Sequence, residues 1–401
     1  MLSPNEAHAA ILERIEALSE VETVPLAEAV GRCLAQAAVA DVDMPPFEKS
    51  MMDGFAMRAS DLAQPGALRC VGESRAGVPF EGEVPAGACV AIYTGAELPA
   101  ECDAVEMVER TRREGDSIHF EAAVRLAQNV EHKGDILTTG RAVYEPPHRI
   151  GSADLSVLAS IGCDPVPVVR RPTVSVLTTG DELVPARERP GVGQIREGNT
   201  LYLQAACQRF GHVVRRHGIV RDDAAELEAA FGEALEHGDA LITTGGVSVG
   251  KYDLVGATFE RLGVEPVLHK VAIKPGKPIW FGMLGAKPVF GLPGNPVSSL
   301  LGLEAFVRPA LARLAGAPED EQAMRTGTAR WTGPRRTAKD RQWNVPARLR
   351  HGADGVLELE GLPFKGSADI VNAARADALA IVPAEGVIET GQLVTFRPLG
   401  A

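Results

Sequence analysis

The stretch Leu241-Ile-Thr-Thr-Gly-Gly-Val-Ser-Val-Gly-Lys-Tyr-Asp253 decides how the middle of this chain is read. Its first half is apolar and β-branched, the composition of a buried strand. Glycines follow at 245, 246 and 250, and a helical pattern runs from Asp253 through Leu262. A strand that opens through glycine into a helix presents converging backbone N–H groups to an anion, with no Cβ in the way. The segment also approaches a P-loop. Gly245, Gly250 and Lys251 match G-x-x-x-x-G-K, but Tyr252 stands where Ser or Thr must meet Mg²⁺. A phenol does not serve there, which excludes ATPase chemistry. A tight turn without a ligand stays open for this segment taken alone.

Working outward, residues 173 to about 316 alternate strand and helix. The strand patterns at 173–178, 213–220, 240–244 and 289–292 run into Thr179-Gly180-Asp181-Glu182, Arg221-Asp222-Asp223, the glycine turn above and Pro293-Gly294-Asn295-Pro296. Such repetition predicts a doubly wound, mainly parallel α/β sheet, in which ligands bind at the carboxyl ends of the strands. Four polar or glycine-bearing ends point to one acidic, phosphate-cradling crevice. Glu182, Asp222 and Asp253 are candidates to hold a hard cation such as Mg²⁺ through oxygen. Capping of the following helices is the alternative, above all for Asp222 and Asp223. Downstream, Lys270-Val-Ala-Ile-Lys274-Pro-Gly-Lys277-Pro278 sets two lysines in a loop stiffened by proline.

At 401 residues the chain is too long for one core. We divide it into a discontinuous helical and mixed domain (residues 1–45 with 136–170), a β-rich insert (46–135), the α/β domain (171–316) and a C-terminal β-barrel-like domain (317–401). Ser3-Pro4-Asn5-Glu6 reads as a capping box opening the first helix, whose apolar face is Ala7, Ile11, Ile15 and Leu18. The helical pattern at 136–170 is expected to rejoin that helix. In the insert, Asp53-Gly54 and Thr94-Gly95 stand out as polar turns, and turn chemistry alone accounts for both. Arg341, Arg348, Lys365 and Ser367 are the polar candidates of the last domain, and a plain surface position accounts for each on sequence alone.

A formal charge of −12 excludes a general nucleic-acid or membrane surface. The six cysteines have no C-x-x-C pair, as expected in a reducing compartment. With no long apolar run, the expectation is a cytoplasmic protein.

In order and spacing, the segments 45–57, 93–105, 178–183, 219–223, 243–255, 272–278 and 291–298 resemble the molybdopterin molybdenumtransferase family, the MoeA and gephyrin E-domain type. The resemblance implies the last step of molybdenum cofactor synthesis: adenylylated molybdopterin and molybdate yield the metal-charged cofactor and AMP, with Mg²⁺ or a similar cation. It implies a homodimer whose active site is shared between subunits, bringing Asp53 and Thr94 across the interface, and transient contact with a molybdopterin adenylyltransferase. By family motif, Gly245, Gly246, Ser248 and Gly250 would cradle the pyrophosphate, and Pro293, Gly294, Asn295 and Ser298 would line the pterin-nucleotide crevice. Glu182, Asp222 and Asp253 would hold the cation or orient the attacking oxygen. Lys274, Lys277, Arg341 and Ser367 would form the molybdate pocket. Many members carry a basic cluster where this chain has Glu131-His132-Lys133-Gly134, in which only Lys133 keeps a firm charge. Two competing readings are an adenylyltransferase acting one step earlier and a non-catalytic scaffold. The extra domains and Asp53 argue against the first, and the intact acids and lysines against the second.

Overall fold

The computed structural model describes residues 1–247 and 254–400. Its centre is a six-stranded sheet in the order Val213–Val220, Thr173–Thr179, Ala240–Thr244, Lys287–Leu292, Trp280–Leu284, Glu265–His269. The first four strands are parallel; the last two are joined antiparallel. Strand Ala240–Thr244 is buried along its whole length, as its unbroken apolar and threonine run requires in a sheet covered on both faces.

Alternation along the strands divides two cores. Leu177, Leu241 and Val289 face helices Ala224–His237 and Leu254–Arg261 through Leu227, Phe231, Val255 and Phe259. Val174, Val176, Ile242 and Phe290 face helix Asn199–Arg209 and the long helical run 296–314. That run contains a π-helical turn, Leu303–Val307, immediately before Arg308-Pro309. Proline lacks the N–H for an α-helical bond and crowds the carbonyl four residues back, so the wider turn lets the helix continue.

The first helix, Pro4–Glu13, has the expected capping box: Ser3 N donates to Glu6 Oε2 at 2.8 Å and Glu6 N to Ser3 Oγ at 3.3 Å. Its docking differs from expectation. Ala7, Ile11 and Ile15 pack into the α/β core, not against residues 136–170. An amphipathic stripe fixes that a helix needs a partner face but not which one. Residues 24–40 and 150–168 bury each other without it, held by antiparallel pairing of Val21–Val24 with Val166–Val169.

The insert forms a six-stranded sheet with Gly54–Met57 second from one edge. In the C-terminal domain, Gln342–His351, Leu357–Gly361, Gly327–Trp331, Leu393–Pro398 and Ala378–Val382 pair in succession. Ala378–Val382 then pairs back to Gln342–His351, closing a barrel around Trp331, Val345 and Phe396. Ile273–Lys274 adds to the outside of this barrel, parallel to Gln342–Trp343. Among the described residues, no helix is long and apolar enough to cross a membrane.

Candidate active site

The site is built at the ends of two neighbouring strands in register, Thr178 opposite Thr244. The Thr244 hydroxyl donates to Thr178 Oγ1 at 2.8 Å, and the Thr178 hydroxyl donates to the Thr244 carbonyl at 3.1 Å. Buried hydroxyls paired in this way fix the strand ends before the chain turns out of the sheet. The turn demands glycine. Gly245 has φ +94°, and a Cβ on it would stand 2.3 Å from the Thr179 carbonyl oxygen. Gly246 has φ +61°, and its Cβ would meet Val255 Cγ2 at 2.5 Å. The next strand, Lys287–Leu292, runs into Pro293-Gly294, and a Cβ on Gly294 would lie 3.5 Å from Gly245 Cα. Two bare backbone turns thus lie against each other.

These turns floor a cleft of about 560 Å³ that gathers Gly180, Glu182, Asp222, Gly245, Gly246, Gly294 and Asn295. Pro293 and Ser298 are buried and do not line it. The cleft is acidic at one end: Asp222 N donates to Asp181 Oδ1 at 3.3 Å. Burial pushes the Asp222 carboxyl above the usual carboxylate range, and the charges of Asp181 and Glu182 push the same way. Among the described residues, no group of three His, Cys, Asp or Glu side chains is placed to hold a metal ion. Ser248, Gly250 and Asp253, with Lys251 and Tyr252, lie outside the described residues.

Sequence reasoning missed the opposite wall. Glu197, buried to 8% exposure, accepts from Thr200 N at 2.7 Å and Thr200 Oγ1 at 2.8 Å, and so anchors the start of helix Asn199–Arg209. Asn199 Nδ2 then donates to the Gly294 carbonyl at 2.8 Å, and Tyr202 lines the cleft one turn on. The signal was Glu197-Gly198-Asn199-Thr200, a helix-start pattern on the sheet's carboxyl side. Ala368 and Ile370 of the last domain close the cleft.

The basic candidates assemble separately. Lys274 Nζ stands 4.6 Å from the centroid of the Trp343 ring, a cation–π contact, and Asn344 Nδ2 donates to the Lys274 carbonyl at 3.4 Å. Lys277 closes the loop by accepting from Val271 N at 3.0 Å. Both lysines are exposed. Ser367 accepts at its carbonyl from Val297 N at 3.0 Å, next to Ser298, and Arg341 contacts Asp340 at 3.6 Å. None of Lys274, Lys277, Arg341 or Ser367 lines the acidic cleft.

Asp53 and Thr94 are brought together within the insert. Asp53 Oδ1 accepts from Thr94 N at 2.7 Å and Thr94 Oγ1 at 2.8 Å. The two bonds hold the exposed Asp53 carboxyl below its ordinary value. Neither residue lines the cleft of its own chain.

Three family models match along the chain: the MoeA N-terminal region (domain I and II) over residues 2–162, a probable molybdopterin binding domain over 175–313, and the MoeA C-terminal region (domain IV) over 328–399. The Haemophilus influenzae molybdopterin molybdenumtransferase is 33% identical, covering 99% of this chain and 98% of its own. The chain belongs to the MoeA family. A second MoeA relative, the molybdopterin molybdenumtransferase of a Nostoc species, is 30% identical over 97% of this chain and 91% of its own. The crystal structure of the Pyrococcus horikoshii molybdopterin biosynthesis MoeA protein superposes with a TM-score of 0.86 at 28% identity, covering 100% of both chains. The MoeA architecture therefore extends over all the elements described above.

Proposed function

We propose that the chain is a molybdopterin molybdenumtransferase acting in molybdenum cofactor biosynthesis. It takes adenylylated molybdopterin and molybdate and releases the metal-charged cofactor and AMP. The observation that carries the reading is the contact of the Gly245-Gly246 and Gly294 turns beside Glu182 and Asp222. Bare backbone admits a pyrophosphate, and the neighbouring acids supply the oxygen donors that phosphoanhydride cleavage draws on.

A divalent cation fits this chemistry. Asp181, Glu182 and Asp222 repel one another in a partly buried crevice, and a hard cation offsets that repulsion. Magnesium binds through one or two carboxylates plus substrate phosphates, so a cage of three is not required. Glu182 and Asp222 would hold it, with Asp253 by family motif, and bound there it would neutralise charge on the departing phosphate. Gly245 and Gly246 seat the pyrophosphate, and Gly294 and Asn295, braced by Asn199, flank the pterin side. Lys274, Lys277, Arg341 and the Ser367 hydroxyl supply fixed cations and a donor for molybdate, a tetrahedral dianion.

In this reading the enzyme is a homodimer, and Asp53 and Thr94 of the partner subunit complete the crevice. Met51, Met52, Tyr93 and Val108, all exposed around that turn, make an apolar rim suited to burial against a second copy. Six free thiols fit a reducing, cytoplasmic setting. The test is AMP release from adenylylated molybdopterin and Mg²⁺, with and without molybdate. Molybdate-dependent AMP is expected; tight substrate binding with no AMP would favour a scaffold.

A further inference from the structure

A second cavity, of about 340 Å³, shares no lining residue with the acidic cleft. It lies where distant parts of the chain meet. Arg149 comes from the small mixed unit, Arg171 from the linker into the central sheet, and Arg209 and His212 from the end of helix Asn199–Arg209. Arg308 comes from the long helical run, and Arg325 from the segment entering the barrel. Five guanidinium groups thus line it, against the one lining carboxylate of Glu321. In a chain of net charge −12 this is not the general field of the protein but a local inversion of it.

Two carboxylates, Glu321 and the 6%-exposed Glu304 that faces Arg308, Arg209 and Arg325, offset part of this charge. Glu321 Oε2 accepts from Arg149 Nε at 2.7 Å, which commits that carboxylate. Arg308, 5% exposed, gives two of its N–H groups to the neutral carbonyls of Glu321 and Ala323, with the Glu304 carboxylate 3.8 Å from its Nε. The side chains of Arg171 and Arg209 make no ion pair or hydrogen bond with a described residue. His212, 6% exposed, leaves its Nδ1 buried with no hydrogen-bond partner. Burial, with repulsion from Arg149 and Arg171, lowers that ring to about 4, so it stands neutral with one N–H to donate. That nitrogen lacks the partner its tautomer requires, an acceptor if it carries the proton and a donor if it does not.

We infer that this arginine cavity is a second anion site, built for a phosphoryl-type dianion: free phosphate, or the phosphate of a mononucleotide. Forked guanidinium donors match tetrahedral oxyanions, and the His212 ring offers a further N–H if its proton is on Nδ1. The volume admits a phosphate and leaves room for a small attached group. Bound there, the anion ties the small mixed unit, the central sheet and the approach to the barrel to one charge.

Equilibrium dialysis of the full chain, in buffer free of other oxyanions, against labelled phosphate and then labelled AMP tests this. Arg171 and Arg209 are exposed, so the double variant Arg171→Gln/Arg209→Gln is expected to fold. It should weaken the saturable site by about tenfold or more, the scale of losing charge-assisted hydrogen bonds. Arg112→Gln/Arg113→Gln, an equal change of charge on an exposed strand of the insert, should leave binding intact. The inference does not depend on the crevice reading: the cavity's share of binding is what Arg171→Gln/Arg209→Gln loses and Lys274→Ala/Lys277→Ala keeps, and what the arginine variant retains, AMP on the Gly245-Gly246 turn included, belongs to the crevice. Tighter binding of AMP than of phosphate assigns the site to a mononucleotide, and equal binding assigns it to the oxyanion alone. The inference is overturned if neither ligand saturates the wild-type protein, if the insert variant weakens binding equally, or if the lysine variant alone abolishes it.

Discussion

Asp222 and Asp53 are both exposed-edge aspartates next to glycine-bearing turns, yet their surroundings are opposite. Asp53 is satisfied at home: two donors from Thr94 meet one oxygen and keep the carboxylate ionised. Asp222 has acids for neighbours and a carboxyl pushed up by burial. An acid that folding stabilises needs nothing further to explain its place, whereas an acid that folding penalises is kept for something the protein binds. In the proposed reading Asp53 therefore acts only from a second subunit, whereas Asp222 lines the cleft of its own chain.

The sharpest way to break this contrast is to remove each acid and follow molybdate-dependent AMP release. Asp222→Ala is expected to cut turnover by roughly 10²–10³-fold, the cost of losing a group that stabilises developing charge. Unchanged turnover would remove Asp222 from the site; the helix start is capped by Asp223, which accepts from Ala225 N and Glu226 N. Gly245→Ala comes next, forcing a Cβ against the Thr179 carbonyl at positive φ and lowering stability by about 2–3 kcal/mol, read in urea melts. Asp53→Ala should slow turnover by about tenfold or more with little change in melting temperature. If the site is shared, mixing Asp53→Ala with Asp222→Ala subunits under exchange restores roughly a quarter of wild-type activity, since half the dimers carry one intact site. No recovery would confine the site to one chain.

The smallest effect concerns pH and metal. Asp222 has a folded-state pKa above its unfolded value, so the native form binds the extra proton and loses stability as pH rises between the two. Asp222→Asn should therefore be neutral or slightly stabilising at pH 7 in the absence of divalent ions. Added Mg²⁺ should raise the melting temperature of the wild type and not of this variant; equal shifts in both would remove Asp222 from the cation. For Asp53 the sign is reversed: its folded pKa is depressed, so its contribution is present above the unfolded value and fades as pH falls through the folded one.

Sequence exposed one wall of the cleft and hid the other for a physical reason. Gly245 and Gly246 are legible because only glycine tolerates their turn, Gly294 because it stands in a Pro-Gly-Asn-Pro run, and the strand patterns placed all three at the carboxyl ends of a parallel sheet. Asn199 and Tyr202 read as ordinary helical residues, since a side chain's reach to Gly294 leaves no local mark. Ile370 closes the cleft from more than 70 residues beyond Asn295, a long-range contact to which periodicity is blind. The docking of the first helix was hidden likewise: its stripe was plain, its partner was not. Asp53 and Thr94 were legible as turns, and the structure adds that the two turns bond each other.

The pairing of Ile273–Lys274 with Gln342–Trp343 has a kinematic side. Lys274 pairs with the barrel, while Ile273 and Ile279 of the same loop are buried in the core of the central sheet that carries the glycine turns, so the loop joins the two bodies. In the proposed reading, a rotation of one body against the other would strain this joint and change the gap between molybdate at the lysines and the phosphates at the glycines. Alignment of two such reactants is then a coordinate shared by both bodies, and a stiffer joint between them would act on the reaction without touching either reactant.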